Sequence, residues 1–487
     1  MRLSELLQGA HLPAGLADLD AAGLTADSRR AAAGFVFFAV PGFAGDGMNF
    51  VADAKARGAV AVVAQRSAEC PLPLIVVADV REALAKAAAR FYPAQPATIA
   101  AVTGTSGKTS VVAFLRQIWA ALGFEAASLG TVGLVDSSGA HYGALTTPGP
   151  VELQRMLDEI ARRGVTHLAM EASSLGIEQR RLDGVRLSLA AFTNFSRDHL
   201  DHHRDMEAYF QAKMRLFDTL LQAGQTVVYD ADSDVAPRVL AVLRARGLVP
   251  FGVGARGAAI ALAKSEPHAL ATHLLLRHAG QEYAMELPLA GAFQTSNALV
   301  AAGLAIAGGG EPARVFAALA NLQGAPGRLE RVGQKRDAPV FVDYAHKPDA
   351  LEKVLATLRP LTKSRLVVVF GCGGDRDKGK RPLMGEIAAR GADSVIVTDD
   401  NPRSEDPAQI RREILAGCAA AGGRETLEIA DRALAIETAI ERLGAGDILV
   451  VAGKGHETGQ IVGDVTLPFS DRDVVVEALN EFTEHGS

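Results

Sequence analysis

Cysteine, aromatic side chains, excess positive charge and long apolar runs are all scarce in this chain, and each scarcity closes off a class of function. The three cysteines, Cys70, Cys372 and Cys418, are odd in number, far apart and in no CxxC pair, which argues against a disulfide framework or a thiolate zinc site. A reducing compartment, the cytoplasm, is the expected setting. The net charge of −6 gives no overall basic field, so no nucleic-acid partner is expected, and anionic ligands must be met by locally placed Lys and Arg. The opening MRLSELLQGAHL lacks the apolar core of a signal peptide. Residues 287–310 carry no charge, yet Gln294, Thr295, Ser296, Asn297 and five glycines make them a buried helix rather than a membrane span. No membrane insertion is expected, and a monomer is the expected state.

Glycine, at 49 of 487 positions, and apolar residues, at 48%, are plentiful, the composition of a globular α/β protein with many tight turns. The β-like FVFFAV (35–40) is followed by PGFAGDG and then by Ala-rich helical stretches alternating with AVAVVA and PLIVVA. YPAQPA (92–97), with two prolines, reads as a linker. From Thr98 the strand-like TIAAV, HLAMEA, LAAFTN and TVVYDAD alternate with helical stretches, the pattern of a largely parallel sheet. A third α/β unit follows APGRLERV (325–332), with PVFVDY, RLVVVFG, SVIVTDD and DILVVAG as strands that each run into polar or Gly-rich residues. Ligands in open α/β sheets collect at such carboxyl ends. Three domains are expected, over 1–95, 96–328 and 329–487.

TGTSGKTS (103–110) is the strongest motif. It lies between the strand TIAAV and a stretch whose Val111, Phe114, Leu115, Ile118, Trp119 and Leu122 keep helical spacing. Gly104 and Gly107 let backbone N–H groups close on phosphate oxygens, Lys108 reaches the terminal phosphates, and Thr109 can ligate Mg²⁺. The spacing departs from GxxxxGK, whose first glycine would fall at Val102. The flanking strand and helix favour an ATP site over a plain Gly-rich turn.

Other residues admit two readings each. Glu171, ending HLAM, could reach a phosphate-bound Mg²⁺ or could merely cap a helix. SRDHLDHHRD (196–205) gathers Asp198, His199, Asp201, His202 and His203 into a zinc-like cluster, a solvated loop, or a segment lending one histidine to Mg²⁺. Lys213 shares a helical face with Met206, Tyr209, Phe210 and Phe217; it either snorkels at the stripe's edge or, desolvated, loses proton affinity and takes up CO2 as a carbamate. In DNPR (400–403), Pro402 fixes its own φ and pushes Asn401 toward an extended conformation. Arg403 then offers a planar fork to a carboxylate, the alternative being a plain turn with a surface ion pair.

TGTSGKTS, MEASS (170–174), NFSRDHLDHH with Lys213, TSNALVAAG (295–303), GRLERV (327–332), VDYAHKPDAL (342–351) and GCGGDRDKGKRP (371–382) together resemble the Mur ligases of peptidoglycan synthesis, over nearly the whole chain. Within that family DNPR and GKGHE (453–457) point to the members that add meso-diaminopimelate to UDP-N-acetylmuramoyl-L-alanyl-D-glutamate. The resemblance implies three α/β domains: one binding UDP, a central P-loop ATPase with a mostly parallel sheet, and a Rossmann-like C-terminal domain that closes on the site. It implies an acyl phosphate formed from ATP and opened by the amine.

By the same resemblance Gly104, Thr105, Ser106, Gly107, Lys108, Thr109 and Ser110 hold ATP phosphates, and Thr109 and Glu171 ligate a first Mg²⁺. Glu171, His199 and carbamylated Lys213 would hold a second. Asn297, Arg328, Asp343 and His346 contact nucleotide or γ-phosphate. Ala26, Ser28, Phe43, Ala44 and Gly45 lie near uridine, and Thr146, Thr147, Ser173, Gln179 and Arg181 near the muramoyl peptide. Arg376, Asp400, Asn401, Pro402, Arg403, Gly453 and Glu457 surround the diaminopimelate. Two positions depart from the family: Ser106 replaces a usual Asn, and Leu145 precedes the Thr pair. An L-lysine-adding ligase conflicts with Arg403, and a folylpolyglutamate synthase with the N-terminal domain. An ATP-sensing binding protein would have lost Lys108, Glu171 or Lys213, and all are present.

Overall fold

The structure, a computed structural model, describes every residue except 14, 43, 44, 142, 144, 199–201, 423, 424 and 485–487. The chain forms two compact units, Met1–Ala263 with Leu276–Tyr283 and Ser296–Leu319, and Lys264–Leu275 with Ala284–Thr295 and Ala320–Ser487.

In the first unit β1 (Gly23–Thr25), β2 (Phe35–Phe38), β3 (Ala61–Ala64) and β4 (Leu74–Val76) make a parallel four-stranded sheet in that order. Alternate residues of β2 and β3 serve two cores: Val36, Phe38, Ala61 and Val63 face one, Phe37, Val62 and Ala64 the other. Coverage on both faces explains why FVFF and AVVA are apolar throughout. The linker expected at 92–97 carries no helix or strand but is held firmly: Gln95 Nε2 donates to Gln154 Oε1 and Gly184 O at 2.8 and 2.9 Å. Arg180 also pairs with Asp79 and Glu82 at the start of helix Val80–Phe91.

The larger sheet of this unit contains β5 (Thr98–Thr103), β6 (Ala126–Gly130), β7 (Gly133–Asp136), β8 (Gly139–His141), β9 (His167–Glu171), β10 (Leu189–Phe192), β11 (Thr226–Asp230) and β12 (Val249–Gly254). Their order is β12-β11-β10-β5-β9-β6-β7-β8, parallel from β12 to β6. Central β5 has β10 and β9 on its two sides, so the loop after Thr103 emerges where both neighbouring strands also end. The strands β13 (Ile260–His268), β14 (Ala271–His278) and β15 (Gln281–Leu287) come next in the chain. The uncharged stretch from 287 folds as helix Ala292–Ala307, and no helix among the described residues is long and apolar enough to cross a membrane.

The second unit carries β16 (Glu330–Lys335), β17 (Ala338–Asp343), β18 (Leu366–Phe370), β19 (Ser394–Val397), β20 (Glu425–Glu428) and β21 (Ile448–Ala452) in the order β16-β17-β21-β18-β19-β20. All but β16 run parallel. Leu366, Val368, Phe370, Ile448 and Val450 face one core, and Val367, Val369, Leu449 and Val451 the other. A hairpin of β22 (Gly459–Val462) and β23 (Val465–Pro468) follows β21. The four strands read from sequence are present; β16 and β20 are polar, partly exposed strands, and β22 and β23 form a short exposed hairpin, none of which shows a buried apolar run.

Candidate active site

The phosphate loop leaves β5 at Thr103 and enters helix Lys108–Ala121 after four residues. Val102 lies inside the strand, fully buried, which is why no glycine is needed there. Gly104 and Gly107 take φ +142° and +86°. A Cβ on Gly104 would overlap Thr193 Oγ1, and one on Gly107 would overlap Asn297 Oδ1, so Asn297 sits directly over the loop. Asn194, which the sequence reading did not select, accepts from Ser106 N through Oδ1 at 3.0 Å and donates to Ser106 O at 3.2 Å. Its sequence signals were its place just past a strand and at the head of the NFSRDHLDHH motif. Lys108 Nζ bonds Gly104 O and Thr105 O, both at 2.9 Å. Ser106, the departure from the family, has an exposed side chain.

Thr109 and Ser110 are buried in the first turn of that helix. Glu171, at the end of neighbouring β9 and 1% exposed, accepts from Thr131 N at 2.8 Å and Thr131 Oγ1 at 3.2 Å. It caps no helix; the following helix, Ser174–Glu178, takes its cap from Ser173. Thr131 was not foreseen, lying 40 residues away with no motif of its own.

Lys213, in helix Met206–Arg215, is 1% exposed rather than snorkelling. Its Nζ donates to Gly104 O at 2.8 Å and lies 4.4 Å from the Tyr209 ring centroid. Burial first, then the nearby Lys108 ammonium, hold its proton affinity well below the usual lysine range. His199 and Asp201 lie outside the described residues. His203 is buried against Tyr209, with Nε2 2.9 Å from Ser174 Oγ.

Thr146, Thr147, Ser173 and Arg181 line one cleft with Leu145, Ser174, Leu175, His202 and His203. Arg181 donates to Thr147 O at 2.6 Å and to Gln179 Oε1 at 2.7 Å, and Thr147 Oγ1 donates to Glu171 O at 3.0 Å. The cleft wall is thus bonded to the strand that bears Glu171. Near the small sheet, Ser28 is buried at the start of a one-turn helix capped by Asp27, while Ala26 and Gly45 are exposed. Phe43 and Ala44 fall outside the described residues.

In the second unit, strand ends gather the rest. Asp343 ends β17 and accepts from Leu329 N at 2.6 Å and Ala345 N at 2.8 Å; burial raises its carboxyl to about 6 against the pull of Arg328. His346 Nδ1 donates to Tyr344 O at 2.8 Å, and burial lowers its imidazole to about 4, so at neutral pH it is uncharged with Nε2 as acceptor. Arg328 lies 4.6 Å from the centroid of the Tyr344 ring.

The DNPR segment leaves β19, and the loop 371–377 leaves adjacent β18. Gly374 N donates to Asn401 O at 2.9 Å, Arg403 Nη1 to Gly374 O at 2.8 Å, and Ser404 Oγ to Asp375 Oδ1 at 2.7 Å. Arg403 adopts φ +51°, a left-handed conformation uncommon for a side chain of this size. It is held there because Arg403 N donates to Ile461 O at 3.0 Å and Gly463 N to Arg403 O at 2.8 Å. The guanidinium is half-buried, and among the described residues no carboxylate forms a salt bridge with it. Asp400 and Asn401 are buried, Arg376 is exposed, and Glu457 is half-buried. Gly453, at φ +119°, leaves room beside the Asp400 carboxylate that a Cβ would fill at 2.7 Å.

Elsewhere in this unit His268, His273 and Glu286 meet on the exposed surface, Glu286 Oε2 lying 3.1 and 2.8 Å from the two rings, a solvated hydrogen-bonded group with no spacing signal in the sequence.

Three family models match this chain: "Mur ligase family, catalytic domain" over residues 20–92, "Mur ligase middle domain" over 102–305 and "Mur ligase, glutamate ligase domain" over 327–455. A relative in Bradyrhizobium diazoefficiens, named UDP-N-acetylmuramoyl-L-alanyl-D-glutamate--2,6-diaminopimelate ligase, is 55% identical over 485 residues, 98% of this chain and 99% of that one. One of the same name in Agrobacterium fabrum is 54% identical, covering 95% and 94%. A solved structure bearing that enzyme's name superposes with TM-score 0.73 at 32% identity over the full length of both chains. An ADP complex of a Mycobacterium tuberculosis folylpolyglutamate synthase shares the fold alone, with TM-score 0.60, 19% identity, and 84% and 95% coverage. With the phosphate loop, the strand-end carboxylates and matches along almost all of its length, this chain belongs to the Mur ligase family.

Proposed function

We infer that this protein is an ATP-dependent ligase that adds meso-diaminopimelate to the D-Glu γ-carboxylate of UDP-N-acetylmuramoyl-L-alanyl-D-glutamate, releasing ADP and phosphate. What carries the reading is one chain holding both a phosphate loop backed by buried Glu171 and Lys213 and a stiff loop offering the half-buried Arg403 guanidinium. The γ-carboxylate attacks the γ-phosphate, giving an acyl phosphate. The amine then adds to the acyl carbon, and phosphate leaves as the tetrahedral centre collapses. Phosphoryl transfer of this kind needs alignment and charge neutralisation more than a protein nucleophile. Lys108 and the loop N–H groups supply both on the protein's side. His346, uncharged with Nε2 as acceptor, suits a ribose hydroxyl better than a phosphate oxygen.

Thr109 and Glu171 are buried oxygen donors suited to Mg²⁺, which would neutralise charge on the phosphates. Lys213, with its proton affinity depressed, suits uptake of CO2 and a role beside Glu171 in a second site. The Thr146, Thr147, Ser173 and Arg181 cleft suits the muramoyl peptide, the turn at Ser28 the uridine end, and Arg403, Arg376, Asp400, Asn401, Gly453 and Glu457 the amino acid. We place the domain boundaries near residues 95 and 328, and the reaction in the cytoplasm, carried out by a monomer.

The deciding experiment measures phosphate release from ATP and Mg²⁺ with the UDP-linked dipeptide, comparing meso-diaminopimelate, L-lysine and no amino acid. Release only with diaminopimelate is expected. Preference for lysine would overturn the reading of Arg403, and no release with any would overturn the ligase.

A further inference from the structure

The amino-acid loops rest on a buried cation that the proposed reaction does not use. Lys454 follows Gly453 beyond the end of β21, and its side chain is 0% exposed. Withdrawing an ammonium from water is costly unless protein groups replace the water. Among the described residues Nζ has two hydrogen-bond partners, Asn401 Oδ1 at 3.1 Å and Glu457 Oε2 at 3.2 Å. Both belong to the segments assigned above to the amino acid.

Asn401 Oδ1 also accepts from Ile461 N at 2.9 Å. Two donors converging on one atom require the amide oxygen there and not the nitrogen. Nδ2 is thereby turned to Glu457 Oε2, 2.9 Å away. Oε2 therefore receives both Asn401 and Lys454, while Oε1 has no donor among the described residues. The carboxylate is left with one committed oxygen and one open one.

We propose that Lys454 is a positioning residue for amino-acid selection: by fixing the Asn401 amide and Oε2 of Glu457, it reserves Oε1 of Glu457 for an ammonium group of the incoming diamino acid. The proposal rests on the ligase reading above. Without the Lys454 ammonium, Glu457 and Asn401 regain rotational freedom, and the ligand must order them on binding. A lysine that only filled space would be replaced by methionine, similar in length and unbranched, with no change in ligand affinity.

The test compares wild type, Lys454→Met, Glu457→Gln and the double variant in two assays. One is the full reaction, giving KM and kcat for meso-diaminopimelate. The other omits the amino acid and supplies hydroxylamine, which takes the acyl group from the acyl phosphate as a hydroxamate and releases phosphate. Lys454→Met is expected to raise KM for diaminopimelate about tenfold or more, the loss of one to two charge-assisted hydrogen bonds, with hydroxamate formation within about twofold of wild type. In the Glu457→Gln background the same substitution is expected to add little, because Lys454 acts through Glu457. An unchanged KM, or two effects that simply multiply, would overturn the proposal. If Lys454→Met also loses hydroxamate formation, the comparison moves to Lys454→Gln, which keeps a donor; parallel loss of both activities there would make the role structural and overturn it too. Wild type that releases no phosphate with diaminopimelate fails the ligase reading itself, before any variant is compared.

Discussion

At the scale of single residues, charge and burial set what each group does. Arg403 is held in position by backbone bonds on both sides, so its guanidinium can be removed without moving the loop. Arg403→Ala is expected to cut kcat/KM for meso-diaminopimelate by roughly thirty-fold to a few thousand-fold, the about 2–5 kcal/mol of a desolvated charge left unpaired, while ATP binding persists. Steady-state phosphate release measures it, and unchanged selectivity over lysine would defeat the carboxylate-reader argument. Lys213→Ala is expected to be nearly inactive and partly restored by short carboxylates such as acetate; full activity in the variant would remove the carbamate. His346 and Asp343 pull stability in opposite directions with pH. The imidazole, lowered from 6.5 to about 4, contributes stability above its unfolded pKa that is lost as pH falls through the folded one. The carboxyl, raised from 3.8 to about 6, contributes stability present at low pH and lost as pH rises toward and through 6. Each shift is worth about 3 kcal/mol, so between pH 6 and 4 they nearly cancel in wild type. His346→Gln is expected to hold its stability better than wild type over that interval, and Asp343→Asn worse, read by denaturant unfolding at several pH values.

At the scale of elements, what matters is how two loops leaving neighbouring strands support each other. A Cβ on Gly374 would overlap the Pro402 carbonyl oxygen, so the loops after β18 and β19 fit only with glycine there. Gly374→Ala is expected to push DNPR outward and raise KM for diaminopimelate about tenfold or more, equivalent to losing roughly one good polar contact. ATP-dependent hydroxamate formation should stay near wild type, because the phosphate loop is built on β5, in the other unit. Equal loss in both assays would show the substitution acting on the fold instead.

At the scale of the whole molecule, the phosphate loop and the DNPR loop belong to different compact units. Each ligand should therefore stabilise the protein through its own contacts, by about 2.7 kcal/mol at a hundred times its dissociation constant. Lys108→Ala is expected to abolish the rise in unfolding temperature caused by ATP and Mg²⁺ while keeping any rise caused by diaminopimelate. Arg403→Ala should do the reverse, and loss of both shifts in either variant would count against separate sites.

By itself the sequence determined whatever is local or covalent: the strand–loop–helix of TGTSGKTS, the stiffness conferred by Pro402, and the parallel strands whose unbroken apolar runs reveal two covered faces. It left Lys213 between two readings, because helical spacing tells which residues share a face but not how deeply that face is buried. Packing against Tyr209 and the Gly104 carbonyl shows that the side chain is buried rather than at the stripe's edge. The pairing of Glu171 with Thr131, the left-handed Arg403 and the burial of Lys454 beneath Asn401 and Glu457 were likewise settled only by tertiary structure. Each joins groups from tens of residues apart or depends on a distant backbone partner, and a side chain's protonation, orientation and strain follow from those neighbours rather than from its own place in the chain.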